Sequence, residues 1–119
     1  MSDDLWTRLS ARIKGQEAAL EVLGRMLESR RVPPGLLFCG LEGVGKRTTA
    51  EAFCAAYCGV EPKRLRVSGR YLYLSRGTAA SFGIDRVREE LLPFFQLRCS
   101  GNRAAVIDDA DCMTPEAQN

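Results

Sequence analysis

The chain has 119 residues, 45% of them hydrophobic and 27% charged, the proportions of one ordinary globular domain. Its net charge of +2, from 17 basic and 15 acidic side chains, is too balanced to imply nucleic-acid binding by bulk electrostatics. Five cysteines without a close-spaced framework argue against a disulfide scaffold, and the absence of histidine excludes His-based zinc sites, Ser–His or Cys–His nucleophile pairs and His acid–base catalysis.

Leu5 to Arg12 reads as a short first helix with Trp6, Leu9 and Ile13 on or near one face. Gln16 to Arg30 is the clearest amphipathic helix: Ala19, Leu20, Leu23, Met26 and Leu27 recur at three- and four-residue spacing. Val32-Pro33-Pro34-Gly35 ends it, because proline cannot continue the hydrogen-bond ladder. Leu36 to Cys39 is a short apolar run between breakers, as expected of a strand buried on both faces of a parallel sheet. A glycine-rich turn, Gly40 to Gly45, leads into a helix over Lys46 to Tyr57. Gly59 to Arg70 is basic and broken and reads as mostly loop, with Lys63, Arg64, Arg66 and Arg70 solvated and a DNA or subunit contact as the alternative. Tyr71 to Leu74 alternates like a strand. Ile84 to Phe95 reads as a helix whose end Pro93 disturbs, and Ala104 to Ile107 as a second buried strand. Thr114 is a candidate cap for a helix starting at Pro115.

Strands alternating with helices predict an α/β fold with a mainly parallel sheet. No apolar run approaches the roughly 20 residues of a membrane span. The polar, acidic start at Met1 to Asp4 does not read as a signal peptide, so a cytoplasmic location without membrane contact is expected. Ending just past a helix start points to a truncated domain occupying residues 1–119.

Gly40-Leu41-Glu42-Gly43-Val44-Gly45-Lys46 has the phosphate-loop spacing GxxxxGK, with a strand expected before it and a helix after. Glycines let the backbone turn and aim its N–H groups at phosphate oxygens, and the helix directs its positive end at the same place. Lys46 would reach the outer phosphates as a mobile point charge. The plain alternative is a glycine-rich turn with a surface lysine. The next position departs from the motif: Arg47 stands where Ser or Thr lends a hydroxyl to Mg²⁺. Thr48 lies about 100° further round a helix and does not simply replace it. A phosphate cradle for ATP or ADP with impaired Mg²⁺ handling is therefore expected. Asp108 and Asp109 close an apolar strand, where ligands sit in open α/β sheets. Asp108 would contact Mg²⁺ directly or through water. Asp109 would polarise an attacking water, one methylene shorter than the usual Glu. Acids that cap a following helix are the alternative. Cys54 and Cys58 share a helical face without further ligands, so core packing is expected and no zinc. Trp6, Phe94 and Phe95 read as core or interface.

Four segments resemble the bacterial DNA polymerase III clamp loader, an AAA+ assembly. Ile13-Lys14-Gly15-Gln16-Glu17 resembles the family's opening "I-x-G-Q" box. Gly40 to Thr48 resembles its phosphate loop in the form found in delta-prime-type subunits. Asn102 to Asn119 resembles its "V-I-D-x-A-D-x-M-x-x-x-A-x-N" block, and Ile84 to Arg88 its "I-D-x-I-R" helix. The resemblance implies a three-layer α/β/α P-loop NTPase without its lid and collar. It implies nucleotide contacts at Gly40, Glu42, Gly43, Val44, Gly45, Lys46, Arg47 and Thr48, with Ile13 and Gly15 on the adenine side. It further implies gamma/tau and delta subunits, the sliding clamp and primed DNA as partners. Arg47 and Asp109 fit a delta-prime stator with weak or no hydrolysis better than a gamma/tau motor. An active AAA+ ATPase is the second reading. A small P-loop kinase is the third, although no acceptor pocket or lid is identifiable.

Overall fold

Ser2–Ser10 forms α1 and Glu17–Ser29 forms α2, each within three residues of its expected limits. The structure is a computed structural model and describes residues 2–39, 45–75, 85, 87–96 and 101–108. Leu5, Trp6 and Leu9 of α1 and Leu23 and Leu27 of α2 are buried, as their spacing requires. The two helices approach closely at Gly24, where an added Cβ would stand 2.9 Å from Trp6 Nε1. Trp6 packs edge-on against Phe53 of α3 (Lys46–Cys58), ring centroids 5.9 Å apart. α3 is the central element: Ala50, Ala52, Phe53, Cys54, Ala55, Ala56 and Cys58 are all buried. Its many small side chains let neighbouring backbone come close without leaving voids.

The stretch read as mostly loop is more ordered than its composition implied. It contains a helical turn, α4 (Pro62–Leu65), opened by proline at a favoured first position and anchored by Leu65, which is 2% exposed. Two of its arginines also have partners: Arg66 Nη2 donates to Glu51 Oε2 at 3.0 Å, and Arg70 Nη1 to the Cys58 carbonyl at 3.4 Å.

β1 (Tyr71–Leu74) and β2 (Ala104–Ile107) are the expected strands, paired in parallel with Tyr71 opposite Ala104 and Leu74 opposite Ile107. Between them, Val87–Leu91 forms a π-helical turn that passes into α5 (Leu92–Gln96). One continuous α-helix was expected here. Pro93 has no N–H to offer the carbonyl one turn back, and a widened turn is a recognised accommodation. Arg103 ties this region to β2, donating to the Phe94 carbonyl at 2.6 Å.

Leu36 to Cys39 is not a strand. It forms no ladder with any described segment; Leu36 and Phe38 turn toward the core and Leu37 is 80% exposed. An apolar run becomes a strand only where a neighbour pairs with its backbone, and the two described strands pair with each other instead. Among the described residues the fold is α/β with a two-stranded parallel sheet. No helix among the described residues is long and apolar enough to cross a membrane.

Candidate functional site at the start of α3 and the ends of the strands

The first turn of α3 and the C-terminal ends of β1 and β2 converge on one region. Gly45 precedes α3 with φ +84°, a left-handed conformation that side-chain-bearing residues rarely adopt. From there the helix starts at once: Thr49 N–H donates to the Gly45 carbonyl at 2.9 Å. Among the described residues no side chain caps this helix end. The helix dipole favours an anion at this end. Lys46 is half-buried at this end, Arg47 and Thr48 are exposed, and Thr49 is buried at 4% exposure. Gly40, Glu42, Gly43 and Val44 lie outside the described residues, as do Asp109, Thr114 and Pro115.

Asp108 follows β2 directly, its N–H donating to the Leu74 carbonyl at 2.8 Å. Here the structure adds residues that the motif reading missed. Tyr73, in β1, donates its hydroxyl to Asp108 Oδ2 at 2.6 Å. Arg47 Nη1 donates to the same Tyr73 oxygen at 3.2 Å and lies 3.9 Å from Asp108 Oδ2. The guanidinium carbon also stands 5.5 Å from the centre of the Tyr73 ring. Burial, and then the hydrogen bond to Asp108, push the Tyr73 hydroxyl above its ordinary pKa, so it remains a donor across neutral pH.

Behind this contact stands Glu51, one turn along α3. Arg47 Nε lies 4.0 Å from Glu51 Oε1, while Tyr71 donates to Glu51 Oε2 at 2.6 Å. Arg66 stacks over the Tyr73 ring at 5.0 Å and reaches Glu51 as well. Glu51 was legible in principle, since residues four apart on a helix pair. Nothing in local sequence brings Tyr73 to Arg47, because that contact depends on how β1 lies against α3.

Ile13 is partly buried against the core, and Gly15 takes φ +79° in the link to α2. An apolar cleft of about 440 Å³ opens between α2, the 36–39 segment and the start of α3. Gln16, Leu23, Phe38, Lys46 and Thr49 line it; Ile13 and Gly15 do not. Cys54 and Cys58 are packing residues. Both are buried, desolvation pushes the Cys54 thiol up to about 12, and the Cys58 thiol donates to the Arg70 carbonyl at 3.6 Å.

A glycine-led helix start facing an acid at the end of a parallel strand is the arrangement of P-loop proteins. The proteins similar to this chain are replication factor C subunits. Replication factor C subunit 4 of Homo sapiens is 36% identical over 113 residues, which is 87% of this chain and 29% of that protein. The replication factor C small subunit of Methanosphaera stadtmanae is 33% identical over 108 residues, 89% of this chain and 31% of the relative. Replication factor C subunit 3 of Blastobotrys adeninivorans is 31% identical over 110 residues, 90% of this chain and 30% of the relative. The chain thus spans about 30% of the length of these relatives. They are clamp-loader proteins of the eukaryotic and archaeal kind, so the clamp-loader resemblance is supported without being specific to the bacterial delta-prime subunit. No family model matches the chain, and no solved structure matches it.

Proposed function

We propose that the chain is the nucleotide-binding region of an AAA+ clamp-loader subunit, holding ATP or ADP by its phosphates. In this reading Gly40, Glu42, Gly43, Val44, Gly45, Lys46, Arg47 and Thr48 form the cradle, and Ile13 and Gly15 lie on the adenine side. The observation that carries it is the start of α3, entered through a left-handed Gly45, followed by Lys46 and set beside the strand-end acid Asp108. Its partners would be the other clamp-loader subunits, gamma/tau and delta or their counterparts, and through them the sliding clamp and primed DNA. Similarity to replication factor C subunits supports this role in loading a clamp during replication.

Within that role we favour a subunit with weak or absent hydrolysis, as in a delta-prime stator. Arg47 replaces the metal-binding hydroxyl, and Asp109 would be short for positioning water. The second reading, an active ATPase, has Thr48 exposed in the first turn of α3 as its candidate hydroxyl and Asp108 as its acid.

Calorimetric titration of ATP into the chain tests nucleotide binding. Lys46→Ala is expected to weaken binding by roughly tenfold to a hundredfold, the range for losing hydrogen bonds to a charged group. Equal affinity of wild type and Lys46→Ala would sink the cradle assignment. Magnesium-dependent turnover abolished by Lys46→Ala would replace the stator with the ATPase.

A further inference from the structure

In a P-loop site a divalent cation needs a hydroxyl at the position after the lysine and an acid at the end of the neighbouring strand. The acid is present as Asp108, but the residues around it do not fit a metal. Arg47 fills the hydroxyl position with a group that has no acceptor atom and is always charged. Its guanidinium is turned to the acid: Nη1 stands 3.9 Å from Asp108 Oδ2, and Tyr73 bridges the two with bonds of 3.2 and 2.6 Å. A second cation beside Asp108 would meet a like charge at close range.

We propose that Arg47 is the site's own cation, taking the place of a divalent metal, so that nucleotide binds this chain without metal. Three features hold the guanidinium in place. Tyr73 accepts from it and presents its ring face, Glu51 lies four residues along the same helix, and Arg66 and Tyr71 hold Glu51 from the other side. Stability alone does not account for the arrangement. The Arg47 side chain is 58% exposed and that of Asp108 38%, and ion pairs so exposed add little to stability. What the network does is fix where a positive charge sits, one residue past Lys46 and beside the strand-end acid. Planar guanidinium is well suited to phosphate oxygens, which it can meet with two parallel N–H donors. The proposal rests on the nucleotide-binding reading and adds to it the source of the compensating charge.

The test is ATP affinity of the chain in magnesium and in EDTA, for wild type and for Arg47→Thr. Wild type is expected to bind equally in both buffers, to within about twofold. Arg47→Thr is expected to bind about tenfold more weakly than wild type in EDTA and to recover in magnesium, a tenfold ratio being 1.4 kcal/mol. Adding Asp108→Asn to Arg47→Thr is expected to abolish that recovery. Arg47→Lys, which keeps the charge, is expected to remain indifferent to metal. A wild-type affinity that falls about tenfold in EDTA would overturn the proposal while leaving the phosphate cradle standing. Arg47→Thr binding like wild type in both buffers would overturn it too. No binding by wild type in either buffer would overturn the nucleotide reading and this inference together. The wild-type comparison needs no variant, so an unfolded Arg47→Thr would not shield the proposal.

Discussion

Tyr71 shows how one side chain can serve both core and site. It is 7% exposed, yet its hydroxyl reaches Glu51, the carboxylate that flanks Arg47. Burial first, and then that hydrogen bond, raise its pKa well above the ordinary value of 10.0. The folded chain therefore keeps this proton at a pH where the unfolded chain releases it. The contribution to stability is complete below pH 10 and is lost as pH rises through the folded-state value. Denaturation in urea between pH 8 and about 11 should show stability falling above pH 10, by up to roughly 1.4 kcal/mol per unit from this one group. Tyr71→Phe should be less stable at pH 8 and should lose that share of the alkaline decline. An identical slope in the variant would refute the assignment. The sequence offered only an alternating Tyr71-Leu72-Tyr73-Leu74 pattern, which marks a strand. It did not reveal that the two phenols reach Glu51 and Asp108, since hydroxyl partners depend on long-range packing.

Among the elements, legibility followed the length of the periodic signal. The α2 helix offered four turns of consistent spacing and was read almost to the residue. Leu36 to Cys39 offered only apolar character, which a strand shares with any half-buried segment, and the backbone pairing that decides between them is not local. Pro93 marked a disturbance without specifying the π-helical turn that absorbs it. The position of Gly24 was equally silent, because its importance lies in Trp6 of another helix. Gly24→Ala gains roughly 1 kcal/mol of helix propensity but places a methyl 2.9 Å from an indole locked against Phe53. Overpacking of that kind costs about 1–3 kcal/mol, so the net effect should be a loss of order 1 kcal/mol, read as a lower urea midpoint. A variant as stable as wild type, or more so, would mean that α1 and α2 are less tightly joined than Trp6 indicates.

For the molecule as a whole, parallel pairing of β1 and β2 puts the ends of both strands on one side, and α3 begins near them. That topology assembles a site from residues 26 and 35 positions apart, as the Arg47–Tyr73 and Tyr73–Asp108 contacts show. Motif spacing singled out Gly45, Lys46 and Asp108 as candidates, and the structure sets Asp108 beside Arg47, the residue after Lys46. The spacing also exposed Arg47 as a departure, but not the partners that turn this departure into a placed charge. The central claim is that the start of α3 receives the phosphates of a nucleotide. Amide ¹H–¹⁵N spectra of the chain with and without ATP test it most directly. The account predicts shifts centred on the N–H groups of Gly45, Lys46, Arg47 and Thr48, with Gly24 and Gly101 unmoved. Unchanged spectra, or shifts confined to residues away from the start of α3, would contradict it.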